Sequence, residues 1–193
     1  MVHFKQVVTK PNESEGNANS PERIKHPLQN SWSFWLFTNN KAQKNWEENL
    51  VKLTTFDTVE DYWCLYHHMK RPSELNSGQE YAVFKNNARP TWDDDANKRG
   101  GRWLINLEKK SQALDDVWLY VVLLMIGENF ENSDVISGVV ISVRDKTKIG
   151  IWLSDAKNEK AILEIGKKIK NTMRLRQQMN FHEHRKNINL YII

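Results

Sequence analysis

The residues whose types are best suited to bind a ligand lie in one stretch, residues 90–103, which reads PTWDDDANKRGGRW. It combines two tryptophans, three consecutive aspartates and a Lys-Arg-Gly-Gly-Arg run. An indole face stacks on a planar base with about 1–3 kcal/mol and on a cation with about 0.5–2 kcal/mol. A carboxylate accepts hydrogen bonds from two adjacent N–H groups, and Arg and Lys bind phosphate. A planar, positively charged base that carries phosphates would satisfy all three parts of this segment.

The 7-methylguanosine cap of messenger RNA is one ligand with all of these properties. Its methylated guanine is planar and cationic, the Watson–Crick edge offers two adjacent N–H groups, and a phosphate chain follows. The bland alternative is a polar loop between strands that covers a buried Trp. This segment alone leaves both interpretations open, and Gly100-Gly101 does not decide between them because it lacks the spacing of a phosphate-binding P-loop.

Two enzyme-like or metal-binding alternatives also start from these residue types. The aspartates 93–95 could hold magnesium for nucleotide hydrolysis, but adjacent residues of a regular backbone face different ways and no P-loop accompanies them. A second possible metal site uses four histidines that lie in polar sequence: His67, His68, His182 and His184. No Cys partner joins them. We therefore predict a binding protein that is not an enzyme and needs neither a cofactor nor a metal.

The composition predicts one domain with a sizeable core. The chain has 193 residues, of which 39% are hydrophobic and 27% charged, and its net charge of +4 favours polyanionic partners. Eight tryptophans indicate an amphipathic binding surface besides the core. The single cysteine, Cys64, excludes an internal disulfide, and we expect it to be buried. We find neither a run of about 18 apolar residues nor a hydrophobic signal sequence, and therefore expect a cytoplasmic protein with no membrane partner.

The elements that must position these residues follow from hydrophobic periodicity. Residues 1–25 are polar and predicted to be a disordered tail, so the folded domain is 26–193. Period-two alternation in 31–38 sets Trp32, Phe34 and Leu36 against Trp35 and Phe37. Further strands are predicted at 81–84, 102–106, 135–144, 148–153 and 188–193. Helices are predicted at 56–69 (capped by Asp57), 114–127 and 158–175. This order predicts an α+β fold with a largely antiparallel sheet.

Five motifs in this order carry a family resemblance. They are HPLQNSWSFWLF (26–37), NWEENL (45–50), FDTVEDYW (56–63), NKRGGRW (97–103) and MIGENF (125–130). Together they resemble the eukaryotic translation initiation factor 4E family of mRNA cap-binding proteins, over residues 26–193. The resemblance implies a single domain in which a curved antiparallel sheet carries three helices on its convex face and the cap on its concave face.

The resemblance also implies the residues of a cap site. Trp46 and Trp92 match the pair that sandwiches the methylated guanine, and Asp93 matches the carboxylate that binds the guanine edge. Trp152 matches the Trp beside the N7-methyl group. Cations around the phosphates are matched by Arg102, Arg144, Lys146 and Lys148. On this basis Trp103 belongs to the core.

A second surface is implied on the convex face. There the family binds helices with a Tyr-x-x-x-x-Leu-hydrophobic motif, carried by the scaffold initiation factor 4G and by 4E-binding repressor proteins. The matching residues are His26, Pro27, Val59, Trp63, Leu119, Tyr120 and Leu123. Tyr120 stands where the family commonly has an acid that pairs with an Arg of the partner.

Three further departures from the family pattern predict a divergent paralogue. Asp93 is one methylene shorter than the usual Glu, so we expect weaker cap binding. The hairpin around Lys148 is one residue shorter. The C-terminal segment is short and has no serine after Ser154, so we expect an incomplete lid over the phosphates and no phosphorylation there. The alternative function is a paralogue with little cap affinity that sequesters the scaffold or repressor partners.

Overall fold

A computed structural model describes residues 24–40, 42, 45–107, 112–186 and 188–193. The predicted disordered tail, 1–25, therefore lies outside the described residues except for Ile24 and Lys25. Lys25 is held by an ion pair of 2.7 Å between its Nζ and Oδ1 of Asp61.

The fold is built on one eight-stranded sheet in which every neighbouring pair of strands is antiparallel. Its spatial order is β2-β1-β3-β5-β6-β4-β7-β8. The strands are β1 (Pro27–Thr38), β2 (Leu50–Thr58), β3 (Gln79–Lys85), β4 (Gly101–Leu107), β5 (Ile136–Val143), β6 (Thr147–Leu153), β7 (Asn180–Glu183) and β8 (Asn189–Ile192). The predicted α+β fold with a curved, mainly antiparallel sheet is confirmed.

Three helices cover one face of the sheet, as predicted: α1 (Val59–His68), α2 (Gln112–Ile126) and α3 (Glu159–Thr172). The predicted cap of α1 at Asp57 is wrong. Thr58 caps the helix, because its hydroxyl accepts a hydrogen bond from the backbone N–H of Asp61 at 3.2 Å. Asp57 still belongs to β2, so its backbone is extended.

The side chains of β1 show how the sheet separates two apolar layers. Trp32, Phe34 and Leu36 join the large core between the sheet and the helices, which we call the helix-side core. Trp35 points to the opposite face and packs in a smaller group with Ala82, Phe84, Ala88 and Trp152, which we call the open-face cluster. The predicted alternation in β1 is therefore confirmed.

Trp103 lies in the helix-side core, as predicted, and is fully buried. Its indole N–H donates to the backbone carbonyl of Ile162 at 2.9 Å, so β4 is tied to α3. Because this N–H is hydrogen-bonded, burial of the Trp103 ring leaves no donor without a partner. This side chain is therefore structural, whereas the neighbouring Arg102 alternates to the open face.

The prediction that Cys64 is buried is wrong, because its side chain is exposed. Tyr62 is the one buried residue of α1, so this helix presents only a narrow face to the core. Cys64 lies two positions further along the helix and points away from that face.

Two glycines at the start of β4 allow the strands to approach closely. A Cβ on Gly100 would lie 1.8 Å from the carbonyl oxygen of Leu153, and one on Gly101 would lie 2.6 Å from the ring of Phe181. The Gly-Gly pair is thus required by packing between strands.

Among the helices within the described ranges, none combines the length and apolarity needed to cross a bilayer.

Candidate functional site

A cavity of about 550 Å³ opens on the face of the sheet opposite the helices. It lies over the middle strands β5, β6 and β4, and we call it the cation cavity. All four predicted phosphate-binding residues line it together with the predicted Trp: Arg102, Arg144, Lys146, Lys148 and Trp152. Residues far apart in the chain thus meet, because β4 and β5 both pair with β6.

A smaller pocket of about 220 Å³ adjoins the cation cavity. Trp46 lines it with Phe37 and Leu50, and the side chain of Trp46 is 48% exposed. The two spaces share four lining residues: Glu80, Pro90, Val140 and Arg144. An aromatic surface and a group of cations are therefore continuous, as a stacked base with attached phosphates would require.

The loop between β3 and β4 carries Trp92, which is 57% exposed. Its shape is fixed by Asn97, whose buried amide donates to the backbone carbonyls of Arg89 (2.7 Å) and Thr91 (2.9 Å). Pro90, between these two acceptors, reaches both the cation cavity and the Trp46 pocket. Trp92 thus follows Pro90, a residue of the cavity wall, by two positions along the chain.

The three aspartates of this loop have different surroundings. Asp94 accepts a hydrogen bond from the backbone N–H of Ala96 at 3.0 Å, and Asp95 pairs with Lys98 at 2.7 Å. Asp93 is exposed, and within the described part of the chain its carboxylate has no hydrogen bond or ion pair. Asp93 is not among the residues that line the two spaces. Of the three carboxylates, Asp93 is the one available to a ligand.

Arg102 is the most buried of the cations. Its guanidinium carbon lies 5.7 Å from the centre of the Trp152 ring, the cross-strand neighbour of Arg102. Burial lowers the pKa of Arg102, whereas the charge of Glu80 raises it. The Nε of Arg102 is buried and has no hydrogen-bond partner among the described residues, whereas the side chain as a whole lines the cation cavity.

Glu80 is a site residue that sequence reasoning did not identify. Its Oε1 accepts from the Ser142 hydroxyl at 2.7 Å and from Arg144 at 3.2 Å, inside the shared wall of the two spaces. A carboxylate there neutralises part of the charge of Arg144. The sequence contains no signal for this contact, because it depends on the register that pairs Glu80 with Ser142.

His184 is a second residue that was missed in this role. Its ring centroid lies 4.2 Å from that of Trp152, and its backbone N–H donates to the Gly100 carbonyl at 3.1 Å. Burial, followed by the charge of Arg102, lowers the pKa of His184 to about 3. The imidazole is therefore neutral at pH 7 and packs against the Trp152 ring.

The predicted partner surface begins where the N-terminal end of β1 meets α1. The carbonyl of His26 accepts from the backbone N–H of Val59 at 2.9 Å, and the His26 imidazole lies 2.6 Å from Oε1 of Glu60. This side-chain hydrogen bond, followed by one from the His26 backbone, lowers the pKa of Glu60 to about 2. His26, Pro27 and Val59 are thus brought together, with Val59 37% exposed.

The remaining predicted partner residues lie on α1 and α2. Trp63 is half-buried and contacts Tyr66 edge-on, with the ring centroids 5.5 Å apart. Leu119 and Leu123 are also half-buried against the helix-side core, whereas Tyr120 is 56% exposed. These helices therefore leave apolar and aromatic side chains accessible on the helical side of the molecule.

The metal-binding alternatives have no support in the geometry. Among the described residues, no group of three or more His, Cys, Asp or Glu side chains is placed to hold a metal ion. His184 packs against Trp152, and Asp94 and Asp95 are engaged within their own loop.

The structure thus combines an antiparallel sheet that carries helices on one face with an aromatic, cationic cavity on the other. The chain belongs to the eukaryotic initiation factor 4E family, whose family model matches residues 27–191. The curated relatives that it matches are translation initiation factors.

Two relatives illustrate the extent of the similarity. Eukaryotic translation initiation factor 4E1 of Drosophila melanogaster is 52% identical over 153 residues, which make up 78% of this chain and 59% of that protein. Eukaryotic translation initiation factor 4E of Homo sapiens is 46% identical over 162 residues, 82% of this chain and 74% of that protein. The chain therefore spans little more than half the length of the Drosophila relative.

Solved structures show the same fold. Ascaris suum eIF4E-3 in complex with an m2,2,7G cap superposes with a TM-score of 0.84 at 33% identity, covering 88% of this chain and 99% of that chain. A schistosome eIF4E in complex with m7GpppG and 4E-BP superposes with a TM-score of 0.82 at 34% identity, covering 88% and 100%.

Proposed function

We propose that this protein binds the 7-methylguanosine cap of messenger RNA. The observation that carries the proposal is the cation cavity, in which Arg102, Arg144 and Lys148 face one space next to the Trp46 pocket. Two similar solved structures contain cap compounds, one with an m2,2,7G cap and one with m7GpppG. Both support the same ligand class for this chain.

Each part of the ligand has a residue suited to it. The methylated guanine stacks between Trp46 and Trp92, with Trp152 beside the methyl group, and its N–H edge donates to Asp93. The phosphates bind at four cations: Arg102, Arg144, Lys146 and Lys148. Two stacks, one carboxylate and several phosphate contacts correspond to a Kd near or below about 1 μM, or about −8 kcal/mol.

The helical side of the molecule is proposed to bind an amphipathic helix with a Tyr-x-x-x-x-Leu-hydrophobic motif. The binding residues are His26, Pro27, Val59, Trp63, Leu119, Tyr120 and Leu123. The partners are the scaffold initiation factor 4G and 4E-binding repressors, and the similar schistosome structure contains 4E-BP. Such a protein acts in translation initiation in the cytoplasm.

One observation favours a second function. Asp93 is exposed and stands outside the lining of both spaces, so its short carboxylate has to approach the guanine from a distance. If this weakens cap binding enough, the helical side still binds its partners. The protein would then sequester the scaffold or repressors and regulate translation by competition.

Retention on a 7-methyl-GTP resin separates the two functions. We expect the protein to be retained, released by free 7-methyl-GTP and not released by GTP, with quenching of tryptophan fluorescence on binding. The Trp92→Ala variant should lose most of the retention. A protein that passes through the resin yet binds the helical motif peptide would support the second function.

A further inference from the structure

A second, larger cleft of about 850 Å³ opens at the opposite end of the central strands from the hairpin that carries Lys146. It lies where β3 and β6 end and β5 begins, and we call it the basic cleft. Six basic side chains line it: Lys85, Lys98, Arg99, Lys157, Arg185 and Lys186. Four acidic side chains accompany them, which leaves a surplus of two positive charges.

Half of these cations are occupied by groups within the protein. Lys98 pairs with Asp95 at 2.7 Å, and Lys186 pairs with Glu183 at 3.5 Å. The Nζ of Lys85 donates to two backbone carbonyls, at 3.0 and 3.3 Å, and burial lowers its pKa. Most of the acidic charge in the cleft therefore lies beside these three lysines.

The other three cations have no such partner. Within the described ranges, the side chains of Arg99, Lys157 and Arg185 make no hydrogen bond or ion pair with the protein. They come from three separate segments, the end of the β3–β4 loop, the segment after β6 and the segment after β7. All three side chains are exposed, so a phosphate group can reach them and neutralise their charge.

Arg99 and Arg185, the two cleft arginines without a partner among the described residues, lie close along the chain to strand positions that border the cation cavity. Arg102 is paired across the strands with His182. Arg99 lies three residues before Arg102 and Arg185 three residues after His182, and because β4 and β7 are antiparallel both lead toward the same end of the sheet. Three residues of chain span at most about 11 Å. A few nucleotides of one strand cover that distance.

We propose that the basic cleft binds the phosphate backbone of the RNA that follows the cap. This rests on the proposed cap binding, because the cap fixes where the RNA begins. No aromatic side chain lines the cleft among the described residues, so no platform for stacking a base is offered. The contacts are therefore with phosphate, independent of base sequence and sensitive to salt.

The test uses a Lys157→Gln/Arg185→Gln double variant of the full chain and three ligands. These are 7-methyl-GTP, a capped RNA of about ten nucleotides and the same RNA without a cap. We expect unchanged affinity for 7-methyl-GTP and a loss of about three- to tenfold for capped RNA. The slope of log K against log salt for either RNA should fall by about 0.7 for each phosphate contact removed.

The matched control is Lys160→Gln/Lys167→Gln, which removes the same charge from two exposed positions of α3. Equal losses in the two double variants would overturn the proposal, because they would report net charge alone. Unchanged RNA binding in the cleft variant would overturn it as well. If wild type fails to bind 7-methyl-GTP, the proposed cap function fails, and the uncapped RNA still tests the cleft.

Discussion

The rings of Trp152 and His184 lie 4.2 Å apart, centroid to centroid, with an angle of 42° between their planes. Arg102 approaches the same indole, its guanidinium carbon 5.7 Å from the ring centre. A charged imidazole beside this guanidinium would be repelled, so the arrangement depends on a neutral His184. A titratable residue, His184, therefore packs against Trp152 in the wall of the cation cavity, and a ligand does not need to contact it.

The His184→Gln variant should change how stability depends on pH. The pKa of His184 is lowered from 6.5 to about 3 on folding, so its neutral form favours the folded state fully above pH 6.5. This contribution is lost as the pH falls from 6.5 toward 3, by up to about 1.4 kcal/mol per pH unit. Denaturant unfolding between pH 7 and 4.5 should give a flatter profile for the variant. Identical slopes would contradict a buried neutral imidazole.

Lengthening the guanine-binding carboxylate should strengthen cap binding. Asp93→Glu extends the side chain by one methylene, and we expect about three- to tenfold higher affinity for 7-methyl-GTP, or about 0.7–1.4 kcal/mol. Fluorescence titration measures it. Asp95→Glu is the matched control, since Asp95 is engaged with Lys98, and it should leave the affinity unchanged. No gain for Asp93→Glu would refute the idea that Asp93 is too short.

Removing the charge of Glu80 should favour phosphate-rich ligands. Its carboxylate lies 3.2 Å from Arg144 and partly neutralises it. Glu80→Gln should therefore raise the affinity for 7-methyl-GTP by about threefold and steepen its dependence on salt. The nucleoside 7-methylguanosine, without phosphates, serves as the control ligand and should show no gain. A loss of affinity for both ligands would mean that Glu80 orients Arg144 and that its charge is not the deciding property.

The partner surface can be tested with a helical peptide that carries the Tyr-x-x-x-x-Leu-hydrophobic motif. Trp63→Ala removes a half-buried indole and should weaken peptide binding at least about tenfold while retention on the cap resin stays unchanged.

Tyr120→Glu should strengthen binding of a peptide with an Arg opposite this position by about two- to fivefold. The same peptide with Gln in place of Arg is the control. Equal effects on both peptides would argue against pairing at position 120.

The close approach of strands at Gly100 predicts a large loss of stability for Gly100→Ala. The new Cβ would lie 1.8 Å from the backbone oxygen of Leu153, which cannot move independently of β6. We expect a loss of at least about 3 kcal/mol in the free energy of unfolding. Gly150→Ala is the control, because its nearest contacts would be ordinary at 3.5 Å. Similar stabilities of the two variants would contradict the packing described for β4.

The three helices and most strands could be predicted from the sequence, whereas β2 and β7 could not. The three helices and the alternation of β1 follow from apolar spacing. β2 is an edge strand whose residues are mostly exposed, so LVKLTTFDT shows no apolar alternation, and β7 has only four residues. The burial of Cys64 was wrongly predicted because α1 has a narrower buried face than its aromatic residues suggest.

The candidate site shows a similar division. The resemblance to the family pointed to the four cations and Trp152, and the structure places all five around one cavity. Glu80 and His184 were missed because their contacts arise from strand register and from the course of the chain after β7. The resemblance singled out Asp93 among the three aspartates, and the structure adds that the other two, Asp94 and Asp95, are engaged within their own loop.

The hydrogen bonds of Asn97 have a consequence for the rate of ligand capture. This amide joins residue 97, which follows Trp92, to two carbonyls that precede Trp92, so part of the backbone entropy of the loop is lost when the protein folds. Encounter then needs no slow loop folding, and association can approach the rates of electrostatically steered binding. Differences in affinity between ligands should accordingly appear in their dissociation rates, that is, in how long each remains bound.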